Sequence, residues 1–244
     1  MTKTCIITGA SRGIGRAIAV SLSYEEDATN FILISRTETG LEETALLMNR
    51  EKNIHCYALD LGNYSEVREM IAEIGEKYLA IDMLINVAGY ANPQSLLETS
   101  IEEWEKTYQV NVHSLFNITK EAVKYMKQSG GKILNVASTA GSSARPGWLA
   151  YASSKAALIS ISQTLSEELA GYGILVYCIS PGRCATELRR ILAPDEDPST
   201  IMQPEHVGEV VQQLLSDNGV CLDGQNIVVR KQVQQVKSPS KQTS

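Results

Sequence analysis

The sequence predicts one doubly wound α/β domain, a parallel sheet of about seven strands with helices on both faces. Three observations carry that expectation. Seven short apolar runs recur along the 244 residues. Most are apolar throughout and do not alternate, which suits strands buried on both faces of a parallel sheet. Longer helical patterns stand between them, and Gly and Pro punctuate the boundaries, as at Gly130-Gly131 and Pro181-Gly182.

Taken in order, the first run is Thr4–Thr8 (TCIIT), followed by a glycine-rich turn and a helix over Gly13–Ser23. Phe31–Ser35 (FILIS) precedes a helix over Gly40–Glu51, and Ile54–Leu59 precedes one over Tyr64–Tyr78. Met83–Val87 leads, after a loop, to a long helix over Ile101–Gln128. Lys132–Val136 (KILNV) and a helix over Tyr151–Ala170 come next. Ile174–Ile179, a helix over Glu205–Ser216 and Asn226–Val229 complete the series. Such alternation implies right-handed crossovers. No repeat or linker divides the chain, so residues 1–230 read as one domain. Within it Arg183–Gln203, polar and carrying Pro194 and Pro198, reads as a mobile loop or lid. Lys231–Ser244 is polar, lacks aromatic residues and reads as a flexible tail.

Composition excludes several function classes. Apolar residues make up 43% and charged residues 20%, enough to bury a core. With 22 Lys and Arg against 28 Asp and Glu, the net charge of −6 gives no general attraction for nucleic acid or anionic membrane. No apolar run reaches the ~18 residues that span a bilayer. Met1–Cys5 leads into the first strand without a signal-peptide core. Cys5, Cys56, Cys178, Cys184 and Cys221 are scattered and form no CxxC, so they read as reduced thiols of a cytoplasmic protein. His55, His113 and His206 lie far apart in sequence and show no metal spacing.

The turn after the first strand reads Gly9-Ala10-Ser11-Arg12-Gly13-Ile14-Gly15. Glycines between a first strand and a first helix let backbone approach a pyrophosphate, and the helix start beyond offers N–H groups and a positive dipole end. The spacing is GxxxGxG, not the commoner GxGxxG of dinucleotide folds. At the tip of the second strand an acidic residue would accept from an adenosine ribose hydroxyl. This chain has Ser35-Arg36 instead. Arg36 suits adenine stacking and bidentate pairing with a 2′-phosphate, and Arg12 shares that charge, so the cofactor predicted is NADP(H). Asp60, with Leu61 beside it, follows the third strand and is placed for an adenine amino group; its bland role is a helix cap.

Tyr151 and Lys155 form YxxxK at the start of a strong helical pattern. Four residues apart on a helix, phenol and ammonium share a face. A nearby cation lowers a phenol pKa and allows proton transfer near neutrality. Ser138 follows the fifth strand and offers a hydroxyl to a substrate oxygen. YxxxK alone is common; its combination with Ser138 and an N-terminal glycine turn is far more specific.

The chain resembles the short-chain dehydrogenase/reductase family, whose sheet is of Rossmann type. The matching elements are Thr8–Gly15 (TGASRGIG), Asp60, Asn86–Gly89 (NVAG), Asn111 within VNV, Ser138 within NVASTAG, Tyr151–Lys155 (YASSK), and PG followed by Thr186. The resemblance implies that Tyr151 donates the proton in carbonyl reduction. Lys155 would hold the nicotinamide ribose and depress the Tyr151 pKa, and Ser138 would orient the carbonyl. Asn111 would bend its helix and hold a relay water. Asn86, Ala88 and Gly89 would line the cofactor ribose, and Pro181, Gly182 and Thr186 would fix the nicotinamide. Where many 3-oxoacyl-carrier-protein reductases close with a VDGG-like segment, this chain has Gly224-Gln225 followed by NIVVRKQVQQ. That ending, with SRT after the second strand, is more similar to some sepiapterin- or carbonyl-reductase-like members. The resemblance also implies pairing of the long helices across a homodimer or homotetramer axis, with Leu158, Ile161 and Leu165 on the Tyr151–Ala170 helix facing a core or a partner.

Tyr90, Ala91, Ala140, Arg145, Trp148, Cys184 and Leu188 are candidates to shape a substrate pocket. The expected function is NADPH-dependent reduction of a small ketone or aldehyde. A 3-oxoacyl-thioester reductase is the alternative. A silent NADPH-binding sensor is a rival from another class, against which the complete Ser138–Tyr151–Lys155 set counts.

Overall fold

The computed structural model describes residues 3–26 and 28–231. The expected tail over Lys231–Ser244 lies, beyond its first residue, outside the described residues. Seven parallel strands form one sheet: β1 (Lys3–Thr8), β2 (Ala28–Ser35), β3 (Asn53–Ala58), β4 (Met83–Asn86), β5 (Gly131–Val136), β6 (Ile174–Pro181) and β7 (Asn226–Val229). Their spatial order is β3-β2-β1-β4-β5-β6-β7. The order reverses between β1 and β4, and a crevice opens at the carboxyl ends of strands at such a switch point.

Successive side chains of a strand point to opposite faces, and each face of this sheet is apolar. Cys5 and Ile7 of β1, Phe31 and Leu33 of β2 and Ile85 of β4 join one layer, with Ile18 and Leu22 of α1 (Gly13–Ser23), Leu41 of α2 (Glu38–Leu47) and Val207 and Val211 of α8 (Pro204–Leu215). Ile6, Ile32, Ile34 and Leu84 point the other way, onto Val67 and Ile71 of α3 (Tyr64–Tyr78) and Ile118 and Ala122 of α5 (Ser114–Met126). This double burial is why the strands read as unbroken apolar runs.

The long helix expected over Ile101–Gln128 is divided into α4 (Ile101–Tyr108), a π-helical turn (Gln109–His113) and α5. The π-turn carries Asn111. α6 (Leu149–Leu169) buries serines along its inner face, at Ser154, Ser162 and Ser166. Each satisfies its hydroxyl on a carbonyl three or four residues back: Tyr151, Leu158 and Gln163 respectively. The stretch expected to be a loop or lid contains a short helix, α7 (Glu187–Leu192), and a single 3₁₀ turn over Pro198–Thr200. A bridge between Cys184 and Met202 ties its two ends.

Phe31 is fully buried at the centre of the first layer. Phe31→Ala is expected to cost about 3–5 kcal/mol, since it loses transfer free energy and leaves a cavity. Urea denaturation checks this; a loss under about 1 kcal/mol would place Phe31 outside the working core.

Candidate active site

The site begins where β1 stops. Gly9 has φ of +65°, and a Cβ there would stand 2.8 Å from the Ala88 nitrogen. A Cβ at Gly15 would collide with the Gly9 carbonyl. Only glycine therefore lets the turn close on itself and on the segment after β4. The Thr8 hydroxyl oxygen secures that contact by accepting from the backbone N–H of Val87 at 3.0 Å and of Ala88 at 3.2 Å. Arg12 is the residue before α1, in extended conformation, and no side chain caps the helix. The first N–H groups of α1 are thus left for an anion. Ile14 packs on the core. Gly13, with φ of +56°, lies under Thr186, whose methyl is 3.3 Å from where a Cβ would stand.

Sequence reasoning missed the brace behind this turn. Arg16 donates to the Ser11 carbonyl at 2.6 Å and to Thr44 Oγ1 at 3.0 Å, and pairs with Glu43 at 2.7 Å. Thr44 in turn donates to the Ala10 carbonyl at 2.8 Å. Helix α2 therefore holds the glycine turn from outside. Position 16 follows Arg12 by one helical turn, which is the signal that marks it.

At the tip of β2, Ser35 Oγ accepts from Thr37 N–H at 3.2 Å and donates to the Thr37 carbonyl at 3.0 Å. The small turn presents Arg36 outward, exposed. Past β3, Asp60 accepts from Gly62 N–H at 2.8 Å, while Asn63 occupies the cap position of α3. Asp60 thus shapes the turn before the helix. Leu61 is buried beneath it. Gln109 of the π-turn donates to the Gly62 carbonyl at 3.2 Å and links this corner to the centre.

Central polar residues interlock. Asn86 is buried and donates to Asn135 Oδ1 at 2.9 Å and to Thr119 Oγ1 at 3.3 Å, while its own Oδ1 has no partner among the described residues. Asn111 accepts from Tyr90 N–H at 2.7 Å and donates to the Tyr90 carbonyl and to Ser154 Oγ, both at 2.9 Å. Its amide clips the chain after β4 to the first turns of α6. Ser154 donates to the Tyr151 carbonyl at 2.8 Å and so carries the clip to the phenol's own residue.

Lys155 is 3% exposed and donates to the Val136 carbonyl at 2.9 Å. Burial lowers its pKa to about 8, and the neighbouring Cys178 works the other way. The ammonium stands 5.9 Å from the centre of the Tyr151 ring and 3.5 Å from where a Cβ at Gly89 would stand. Ser138 caps a 3₁₀ turn over Thr139–Gly141 and hydrogen-bonds Tyr151. Burial pushes the Tyr151 phenol above its ordinary pKa, and the Ser138 hydroxyl partly offsets that. The structure departs here from the expected depression of the phenol pKa by Lys155. Trp148 meets Tyr151 edge-on, with ring centres 5.7 Å apart.

On the far side, Pro181 is buried at the end of β6, and Gly182 N–H donates to the Val229 carbonyl at 2.8 Å. Thr186 caps α7, accepting from Arg189 N–H. Other pocket candidates divide. Ala91, Ala140 and Cys184 are buried, and burial pushes the Cys184 thiol up to about 12, which makes it a packing residue, not a nucleophile. Tyr90 is engaged by α4: its hydroxyl donates to Glu103 at 2.7 Å and its ring lies 4.3 Å from the Lys106 ammonium.

The structure thus joins Gly9 to Ala88, Gly13 to Thr186, Lys155 to Val136 and Tyr151 to Ser138 along one carboxyl edge. Among the described residues no cluster of His, Cys, Asp or Glu could hold a metal ion, and no helix is long and apolar enough to cross a membrane.

Comparison with known proteins agrees with this arrangement. The short chain dehydrogenase family model matches residues 3–197. The 3-oxoacyl-(acyl-carrier-protein) reductase FabG of Thermotoga maritima is 32% identical over 238 residues, covering 92% of this chain and 95% of that protein. Its namesake from Staphylococcus epidermidis is 29% identical over 240 residues, covering 94% and 98%. Among solved structures, ElxO with NADP bound superposes with a TM-score of 0.85 at 26% identity, covering 94% of this chain and 97% of that one. A variant of actinorhodin polyketide ketoreductase with NADPH gives a TM-score of 0.84 at 25% identity, covering 93% and 95%. The chain belongs to the short-chain dehydrogenase family.

Proposed function

We propose that the protein is an NADPH-dependent reductase that converts a ketone or aldehyde to an alcohol, with Tyr151 as proton donor. The observation that carries this reading is the meeting of Tyr151, Ser138 and Lys155 at the end of β5, two strands across from the glycine turn that follows β1. The chain's residues fit a dinucleotide. Gly9, Gly13 and Gly15 keep side chains out of the turn, and α1 begins uncapped. Arg12 and Arg36 provide the cationic charge that a 2′-phosphate requires, with Ser11, Ser35, Asp60 and Leu61 framing that end. The orphan Oδ1 of buried Asn86 is an acceptor in search of a donor near Ala88 and Gly89. Pro181, Gly182 and Thr186 close the other end.

When bound, the nicotinamide supplies the hydride. The protein does the rest. Ser138 donates a hydrogen bond to the substrate oxygen and fixes its position. Tyr151 donates its proton to the same oxygen as negative charge develops there. Lys155 places a buried positive charge behind the phenol and makes loss of that proton easier. Asn111, through Ser154, holds the first turn of α6 in register.

The full-length relatives favour a second reading, a 3-oxoacyl-thioester as substrate, despite the different ending after Gly224-Gln225. Competition between a 3-oxoacyl thioester and small ketones separates the two. The five scattered cysteines, all free thiols, fit a cytoplasmic enzyme. The outer face of α5 and α6 has a groove of about 460 Å³ lined by Val112, Phe116 and Ile161, with Phe116 56% exposed. That face suits a second copy in a homodimer, which a homotetramer would extend. Segment 183–203 suits a lid over the substrate.

Tyr151→Phe is expected to lower turnover by about 10²–10⁴-fold while NADPH still binds. Turnover at the wild-type rate would remove Tyr151 from the mechanism. Arg36→Asp is expected to weaken NADPH about ten- to hundredfold and NADH far less. Equal losses for both would assign the 2′-phosphate elsewhere. The pH dependence follows from Lys155, which is charged below about 8 and neutral above it, while the raised Tyr151 pKa keeps the phenol protonated throughout. The reduction rate should therefore be level near neutrality and fall as the pH rises through about 8. A profile still level two pH units higher would contradict the role given to the charge.

A further inference from the structure

One contact crosses the crevice and is used by nothing described above. Arg12, in the glycine turn, forms an ion pair with Glu187, 175 residues away at the start of α7. Both side chains are more than half exposed, at 62% and 54%. Glu187 is the acidic partner of Arg12 among the described residues. Two other arginines of the 183–203 segment are held within it: Glu196 takes both Arg183, at 2.9 Å, and Arg189, at 2.6 Å. Beside the ion pair, Thr186 lies over Gly13. The start of α7 therefore rests on the glycine turn through one methyl contact and one ion pair.

Resting on the cofactor reading above, we infer that Glu187 is a specificity-determining residue that competes with the 2′-phosphate of NADPH for Arg12. A guanidinium that faces a carboxylate is already neutralised. A phosphate arriving at Arg12 must either displace that carboxylate or accept its repulsion. NADH carries no 2′-phosphate and leaves the pair intact. Glu187 thus weakens NADPH binding selectively, and the same displacement frees the start of α7 from the glycine turn when NADPH arrives. When the oxidised cofactor departs, Glu187 recovers Arg12 and favours its release. The pair is solvent-exposed, so its effect is modest and shrinks with added salt.

The test is isothermal titration of the whole chain with NADPH and with NADH, without substrate, for wild type, Glu187→Gln, Arg12→Ala and the double variant. Glu187→Gln should tighten NADPH about two- to fivefold at low salt and change NADH by less than about twofold. In the Arg12→Ala background the same substitution should have a smaller effect on NADPH, because the competition for Arg12 is gone and only the carboxylate's own repulsion remains. Unchanged or weaker NADPH binding in Glu187→Gln would overturn the inference. So would an equal gain for both cofactors, or a gain undiminished in Arg12→Ala. Wild type that prefers NADPH while Glu187→Gln is neutral removes only this inference. Wild type that binds neither dinucleotide overturns the cofactor reading and the inference together.

Discussion

A buried ammonium group must find an acceptor, and Lys155 finds the Val136 carbonyl. Much of the architecture around the site serves that one bond. β5 must end at Val136 so that its last carbonyl points into the crevice. At position 89 a Cβ would stand 3.5 Å from both the ammonium and Asn111 Oδ1, an ordinary contact distance. Position 141 must lack a side chain, since a Cβ would come within 2.7 Å of the Lys155 carbonyl carbon. That close approach seats the 3₁₀ turn after Ser138 directly on α6. It is the packing reason that the Ser138 hydroxyl reaches the phenol one helical turn before Lys155. An unpaired charge at this depth would cost several kcal/mol, so the bond and its surroundings stand or fall together.

The proposed chemistry draws its geometry from secondary structure and little from loops. Strand ends deliver Ser35, Asp60, Asn86, Val136 and Pro181 to one edge, and α6 delivers Tyr151 and Lys155 four residues apart. The π-turn supplies the cross-tie. It widens the helix at Asn111, whose amide fastens backbone after β4 to α6 through Ser154. Single-turn π-segments inside helices recur at functional sites, and here the segment joins the two halves of the crevice. The raised phenol pKa fits a donor that keeps its proton until negative charge appears beside it.

Much of this was legible in the sequence. The inner strands announce themselves because both faces of the sheet are covered there, while β3 and β7 at the edges are partly exposed and are legible as short apolar runs between helices. The glycine turn, Ser138, Tyr151 and Lys155 are legible because each requirement, backbone approach or a shared helix face, leaves a fixed spacing. Other features leave no such mark. A π-turn changes the helical period over only five residues and brings no Gly or Pro, so Ile101–Gln128 read as one helix. Helix α7 is six residues long and two of them are arginines, so it read as loop. Tyr90, a pocket candidate, gives its hydroxyl to Glu103 and its ring to Lys106 of α4, a pairing that no spacing marks. The direction of the Tyr151 pKa depends on how deeply the fold buries the phenol, which no spacing encodes. The Arg12–Glu187 pair joins residues that only the folded crevice brings together.

The central claim is that a hydride and the Tyr151 proton are delivered to opposite ends of one carbonyl bond in this crevice. The most direct measurement supplies NADPH labelled with deuterium at the transferable position of C4, with a 3-oxo ester as acceptor, and analyses the alcohol by mass spectrometry. The account predicts a single deuterium on the carbinol carbon with wild-type protein and almost no labelled alcohol with Tyr151→Phe. Alcohol formed without the label, or labelled equally well by the phenylalanine variant, would contradict it.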